Sequence, residues 1–132
     1  MFATQLHVAY SSMIKGIAML AGGPYYCAQA NIAIALSACM THPALILVPE
    51  LIAITKSTAA FGYIDNPNAY LSDSKVFLAS GTLDSVVNTG VVKKTAQYYA
   101  HYLGNNKKDN LVEVYDIPSE HAWISPRAKS KC

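Results

Sequence analysis

Apolar residues in this chain come in blocks, and the spacing within each block predicts its element. Phe2-Ala3-Thr4-Gln5-Leu6-His7-Val8-Ala9-Tyr10 reads as the middle of an amphipathic helix over residues 2–11, with no N-cap residue before it. A chain that opens in mid-helix predicts a further part upstream. Residues 14–20 form a short apolar run closed by Ala21-Gly22-Gly23-Pro24, the pattern of a buried strand followed by a sharp loop. Residues 28–38, rich in alanine and isoleucine, predict a helix. So do residues 45–60, where Leu47, Leu51, Ile54 and Thr58 recur near helical spacing and Pro49 suits a first turn. Asp65-Asn66-Pro67-Asn68 is a turn cluster.

The second strand is predicted over 75–80, ahead of Gly81. A long helix comes next over 89–103, where Val92, Ala96, Tyr99 and Leu103 make one stripe and Gly104-Asn105-Asn106 ends it. Residues 111–115 are the third strand, and Pro118 opens a loop. The order α-β-α-α-β-α-β-loop gives an α/β fold class, with a parallel sheet of about three strands flanked by helices. Three strands are few for such a sheet. The first would leave an unpaired apolar edge, so missing strands or self-association through that edge are expected.

Composition narrows the picture. The chain has 132 residues, 52% of them hydrophobic and only 14% charged, which suits one well-buried domain. The net charge is +2, and the basic residues are scattered apart from Lys93-Lys94 and Lys107-Lys108, which excludes a nucleic-acid footprint. No apolar run reaches the roughly 18 residues of a membrane span. No basic region precedes an apolar stretch at the N-terminus, so no signal peptide is read there.

Cys27, Cys39 and Cys132 make an odd count, which fits neither a fully paired secreted domain nor a zinc site. Cys27 and Cys39 are either one disulfide, implying an oxidising compartment, or free buried thiols. His7, His42 and His101 have no metal-binding spacing. No metal or cofactor is predicted. Tyr98, Tyr99 and Tyr102, among nine tyrosines, read as one helix face.

Two polar residues lie just after predicted strand ends, where parallel sheets bind ligands. Asp84 lies in Gly81-Thr82-Leu83-Asp84-Ser85-Val86-Val87, and His121 in Ser119-Glu120-His121-Ala122-Trp123. A carboxylate on one strand-end loop and a histidine on the next form the second half of a Ser…Asp…His order. In that order the carboxylate orients the imidazole, which takes the serine proton and returns it to the leaving group. The plainer reading makes Asp84 a helix cap or turn residue and His121 an ordinary loop histidine.

These two segments, together with Ala21-Gly22-Gly23-Pro24-Tyr25-Tyr26-Cys27-Ala28 and the helix from Phe2 to Ser11, resemble polyhydroxybutyrate-depolymerase-like α/β-hydrolase esterases. The resemblance runs in order through residues 1–124, a partial α/β-hydrolase domain, and leaves 125–132 as a polar tail. It implies a carboxylester hydrolase acting on polyester or small ester substrates, outside the cell, with Asp84 and His121 as its acid and base. It also implies a disulfide between Cys27 and Cys39, leaving Cys132 without an inferred partner. One departure is large: the chain contains no G-x-S-x-G, so both the nucleophile and the adjoining oxyanion-hole N–H are missing from it. The resemblance thus describes a fragment lacking the N-terminal half and the nucleophile elbow, expected to be inactive alone. The alternatives are a non-catalytic truncated homologue that at most binds a partner or ligand, and an incomplete gene model.

Overall fold

The structure, a computed structural model, describes residues 2–122. Trp123 and the tail 125–132, with Cys132, lie outside the described residues. Helix α1 (Phe2–Ala9) leads into strand β1 (Gly16–Leu20). Short helix α2 (Ile32–Leu36), a 3-10 turn (Pro43–Leu45), helix α3 (Val48–Ala60) and helix α4 (Pro67–Tyr70) fill the crossover to strand β2 (Lys75–Gly81). Helix α5 (Thr89–Leu103), a 3-10 turn (Gly104–Asn106) and helix α6 (Lys107–Asn110) lead to strand β3 (Leu111–Ile117). The sheet is parallel in the order β1-β2-β3.

One face of the sheet carries the core. Met19, Val76 and Leu78 point from it against the buried stripe of α5, which includes Val91, Val92, Ala96 and Tyr99. Hydroxyl groups join the elements of this core. Thr55 Oγ1 lies 2.8 Å from the Tyr98 hydroxyl and so links α3 to α5. Burial pushes the phenols of Tyr98 and Tyr99 well above their ordinary pKa. Helix α5 starts where Asn88 Oδ1 accepts the Gly90 N–H at 2.8 Å. It stops at Gly104, whose φ of +54° belongs to the left-handed region that ends helices.

The other face is less covered. Ala18, Phe77 and Val112 stand side by side across the three strands, and Phe77 and Val112 are 38% and 51% exposed. Helix α1 repeats the pattern: Phe2, Leu6 and Tyr10 face solvent while Thr4, His7 and Val8 are buried.

The helix expected over 28–38 is shortened to Ile32–Leu36. Tyr26, Gln29 and Ala30 have φ of 57°, 48° and 57°, and residues in that region cannot be helical. Asn31 then caps the remaining helix, its Oδ1 accepting the Ala33 and Ile34 N–H groups. The predicted turn at Asp65–Asn68 contains the start of α4, with Asn66 as cap and Pro67 in the first turn.

Candidate active site

At the carboxyl edge of the sheet a cleft of about 510 Å³ opens between the start of α1 and the loops after the strands. Phe2 and Ala3 line one side, Met19 to Ala21 the floor, and Asp84 and His121 the other side. Both sequence-predicted residues therefore reach one cleft, and they touch. His121 Nδ1 lies 2.9 Å from Asp84 Oδ2.

Asp84 holds its place locally. Its Oδ1 accepts the N–H groups of Val86 at 2.9 Å and Val87 at 2.8 Å, closing its own turn. Its side chain is 1% exposed, whereas that of His121 is 41% exposed. One carboxylate oxygen of Asp84 thus closes the turn, and the other faces the imidazole. An ionised carboxylate only accepts, so the imidazole facing it carries its proton on Nδ1 and keeps a lone pair on Nε2. A neutral imidazole so held can take a proton from a group in the cleft, and the neighbouring carboxylate stabilises the cation that forms.

No hydroxyl group among the described residues hydrogen-bonds to His121. Ser80 Oγ is engaged with Thr89 Oγ1 at 3.1 Å, and Ser119 is buried beneath the histidine loop. Helix α1 brings its first turn to the cleft. Free N–H groups at a helix start favour negative charge nearby.

The loop after β1 forms the adjoining wall. Thr4 Oγ1 donates to the Gly23 carbonyl and Thr95 Oγ1 to the Gly22 carbonyl, both at 3.0 Å. The Tyr26 N–H donates to Gln5 Oε1 at 3.1 Å. Cys27 and Cys39 are joined by a disulfide across 12 positions of sequence. The hydrogen bonds were not readable from the sequence, whereas the disulfide is the pairing that the resemblance implied; Thr4, His7, Val8 and Ser11 are all buried.

The other histidines are separate. His7 is buried, with Nδ1 2.9 Å from the Tyr99 hydroxyl and Nε2 3.2 Å from Ser74 Oγ. Burial lowers its pKa to about 4. His42 pairs with Thr41 on the surface, and His101 packs edge-on against Tyr102. Among the described residues no group of three or more His, Cys, Asp or Glu side chains is arranged to hold a metal ion. Nor is any described helix long and apolar enough to cross a membrane.

No family model matches the chain. It is 44% identical over 131 residues to a poly(3-hydroxybutyrate) depolymerase of Delftia acidovorans, a match that covers 98% of this chain and 26% of that relative. Among solved structures it matches a PHB depolymerase variant complexed with an R3HB trimer, with a TM-score of 0.76. It also matches a PHB depolymerase from Penicillium funiculosum, with a TM-score of 0.75. Both are 22% identical to it and cover 98% of this chain and 39% of theirs. At that identity the structural matches establish the fold, the α/β-hydrolase-like arrangement expected from the sequence. The chain spans about a quarter of the curated relative's length.

Proposed function

From a chain homologous to a poly(3-hydroxybutyrate) depolymerase, we propose that this protein contributes the acid and base of a Ser-His-Asp carboxylester hydrolase acting on poly(3-hydroxybutyrate)-like polyesters. The observation that carries the reading is the 2.9 Å contact between His121 Nδ1 and Asp84 Oδ2 at the mouth of the cleft. Asp84 orients the imidazole and stabilises its cation. His121 Nε2 accepts the proton of a serine and returns it to the leaving alkoxide. The 132 residues contain no G-x-S-x-G, so the serine is not among them. Polyester or small ester is the substrate class. The Cys27–Cys39 disulfide supports an oxidising, extracellular setting.

A chimera tests this directly. The nucleophile-bearing segment of the Delftia acidovorans relative is joined ahead of Phe2, and labelling by a fluorophosphonate probe is measured with hydrolysis of a p-nitrophenyl ester. The chimera is expected to label and to turn over. The 132-residue chain is expected to do neither. His121→Ala in the chimera should lower kcat by on the order of 10⁶. A chimera that folds and labels yet is indifferent to His121→Ala would sink the assignment.

The missing G-x-S-x-G favours a second reading, a non-catalytic homologue that at most binds a partner or ligand. Under that reading the folded chimera stays unlabelled. In either case we propose that the exposed row Ala18–Phe77–Val112 promotes self-association of the isolated chain. Sedimentation of the Phe77→Thr/Val112→Thr double variant should show less association than the parent.

A further inference from the structure

The contact between Asp84 and His121 needs two loops from different strands to meet at hydrogen-bond distance, and three features at the ends of β2 and β3 converge on that meeting. The first is a bulge. Ala79 pairs with Val114 but Gly81 pairs with Ile117, so Tyr115 and Asp116 together oppose Ser80. An extra residue of this kind bends its strand and re-aims the residues beyond it.

The second feature is a gap. A Cβ added at Gly81 would lie 2.0 Å from the Ser119 carbonyl oxygen and 2.8 Å from its carbonyl carbon. Both are backbone atoms, which cannot swing aside as a side chain can. The chain after the bulge therefore crosses the end of β2 where a side chain is missing. The third feature is a pair of stitches across that gap. The Thr82 N–H donates to the Ile117 carbonyl at 2.8 Å, and the Leu83 N–H to the Ser119 carbonyl at 3.2 Å. Leu83 directly precedes Asp84, and Ser119 lies two residues before His121. From below, Thr89 Oγ1 donates to the Gly81 carbonyl at 3.3 Å, tying the crossing to the first residue of α5.

We propose that Gly81 is a positioning residue of the Asp84–His121 pair: its missing side chain lets the bulged end of β3 lie across β2, and this crossing sets the distance between carboxylate and imidazole. The inference rests on the catalytic reading only for its significance. The geometry stands without it, and so does its test.

The measurement is imidazole NMR on the ¹⁵N-labelled chain, with His121 assigned through His121→Gln. In the parent, His121 should be the Nδ1–H tautomer with a slowly exchanging ring proton. Gly81→Ala should abolish that signature. His7, hydrogen-bonded to Tyr99 in the core, should keep its own signal and so report that the fold survives. Gly16→Ala is the control for general strain, because its Cβ would meet the Lys75 carbonyl at 2.9 Å at the other end of the sheet. It should leave the His121 signature in place.

If Gly81→Ala fails to fold, Thr89→Val removes the anchor beneath the crossing without adding bulk, and the His121 ring proton should then exchange about tenfold faster. A folded Gly81→Ala that retains the signature overturns the positioning role alone. So does an unchanged exchange rate in Thr89→Val where Gly81→Ala does not fold. A parent chain without the signature overturns the pairing itself, and with it the catalytic reading.

Discussion

The loops after β1 and β2 border the same cleft but are secured in opposite ways. The loop after β1 is strained and anchored. Ala21, Tyr26, Gln29 and Ala30 all sit in the left-handed region, which costs each non-glycine residue roughly 1–2 kcal/mol. Threonine hydroxyls, a glutamine amide and a disulfide hold it there. The loop after β2 contains no residue with positive φ and no covalent tie. It is held by its own aspartate and by backbone hydrogen bonds to the neighbouring loop. The anchored loop carries no candidate acid or base, and the hydrogen-bonded one carries Asp84. Rigidity is thus built into the wall, while the Asp84–His121 contact depends on local interactions that a single substitution can shift.

The sharpest way to break this contrast is to remove the covalent anchor. Replacing Cys27 and Cys39 together by alanine should cost about 3 kcal/mol of stability in the chain-entropy account of a loop this short. Urea denaturation measures it. The strained residues should relax first, seen as selective loss of amide protection over 21–31 with protection at Thr82 and Leu83 kept. Simultaneous loss in both loops would erase the distinction.

Acid comes next in size. His7 joins α1 to α5, and its folded pKa of about 4 lies below the ordinary value of 6.5. The unfolded chain therefore binds a proton first as pH falls. The stability contributed by neutral His7 is fully present above about pH 6.5 and is lost between there and about pH 4. The slope is up to about 1.4 kcal/mol per pH unit. His7→Gln should flatten the parent's stability over that window. An unchanged slope would show that His7 is not the group responsible.

Asp84→Asn separates the two jobs of one side chain. The amide oxygen can still accept the Val86 and Val87 N–H groups, so stability should change by less than about 1 kcal/mol. In the unlabelled chimera, however, kcat should fall by on the order of 10⁴, because the imidazole loses its tautomer partner. Thermal unfolding and steady-state kinetics on the same sample compare the two. Large losses in both would make Asp84 chiefly a structural residue.

The smallest effect has an unusual sign. Ala30→Gly should stabilise the protein by about 0.5 kcal/mol, since glycine relieves the left-handed strain at φ 57° by more than it adds in unfolded entropy. A lower melting temperature would mean that the loop after β1 is not strained at that position.

The sequence was most informative where one physical signal dominates. The apolar runs at 14–20, 75–80 and 111–115 became the three strands, and the stripe Val92–Ala96–Tyr99–Leu103 became α5 over the predicted residues. Strand ends in parallel sheets gather at one edge, and Asp84 and His121, both picked from strand-end loops, lie within hydrogen-bond distance there. The backbone of 21–31 was not legible, because Tyr26, Gln29 and Ala30 adopt a conformation that their own preferences oppose and distant partners impose. The burial of His7 was not legible: it is buried on one side of α1 with Thr4 and Val8, while the larger apolar residues Phe2 and Leu6 of the same helix are exposed. The crossing at Gly81 left only a glycine at a strand end, a signal shared by many glycines with no such role.

The contacts that bring acid and imidazole together, namely the bulge, the gap, the stitches and the anchor on α5, all fall between Lys75 and His121. That stretch is one β-α-β unit. The distance between carboxylate and imidazole is therefore set largely within one supersecondary unit, by contacts between residues at most about forty positions apart in sequence.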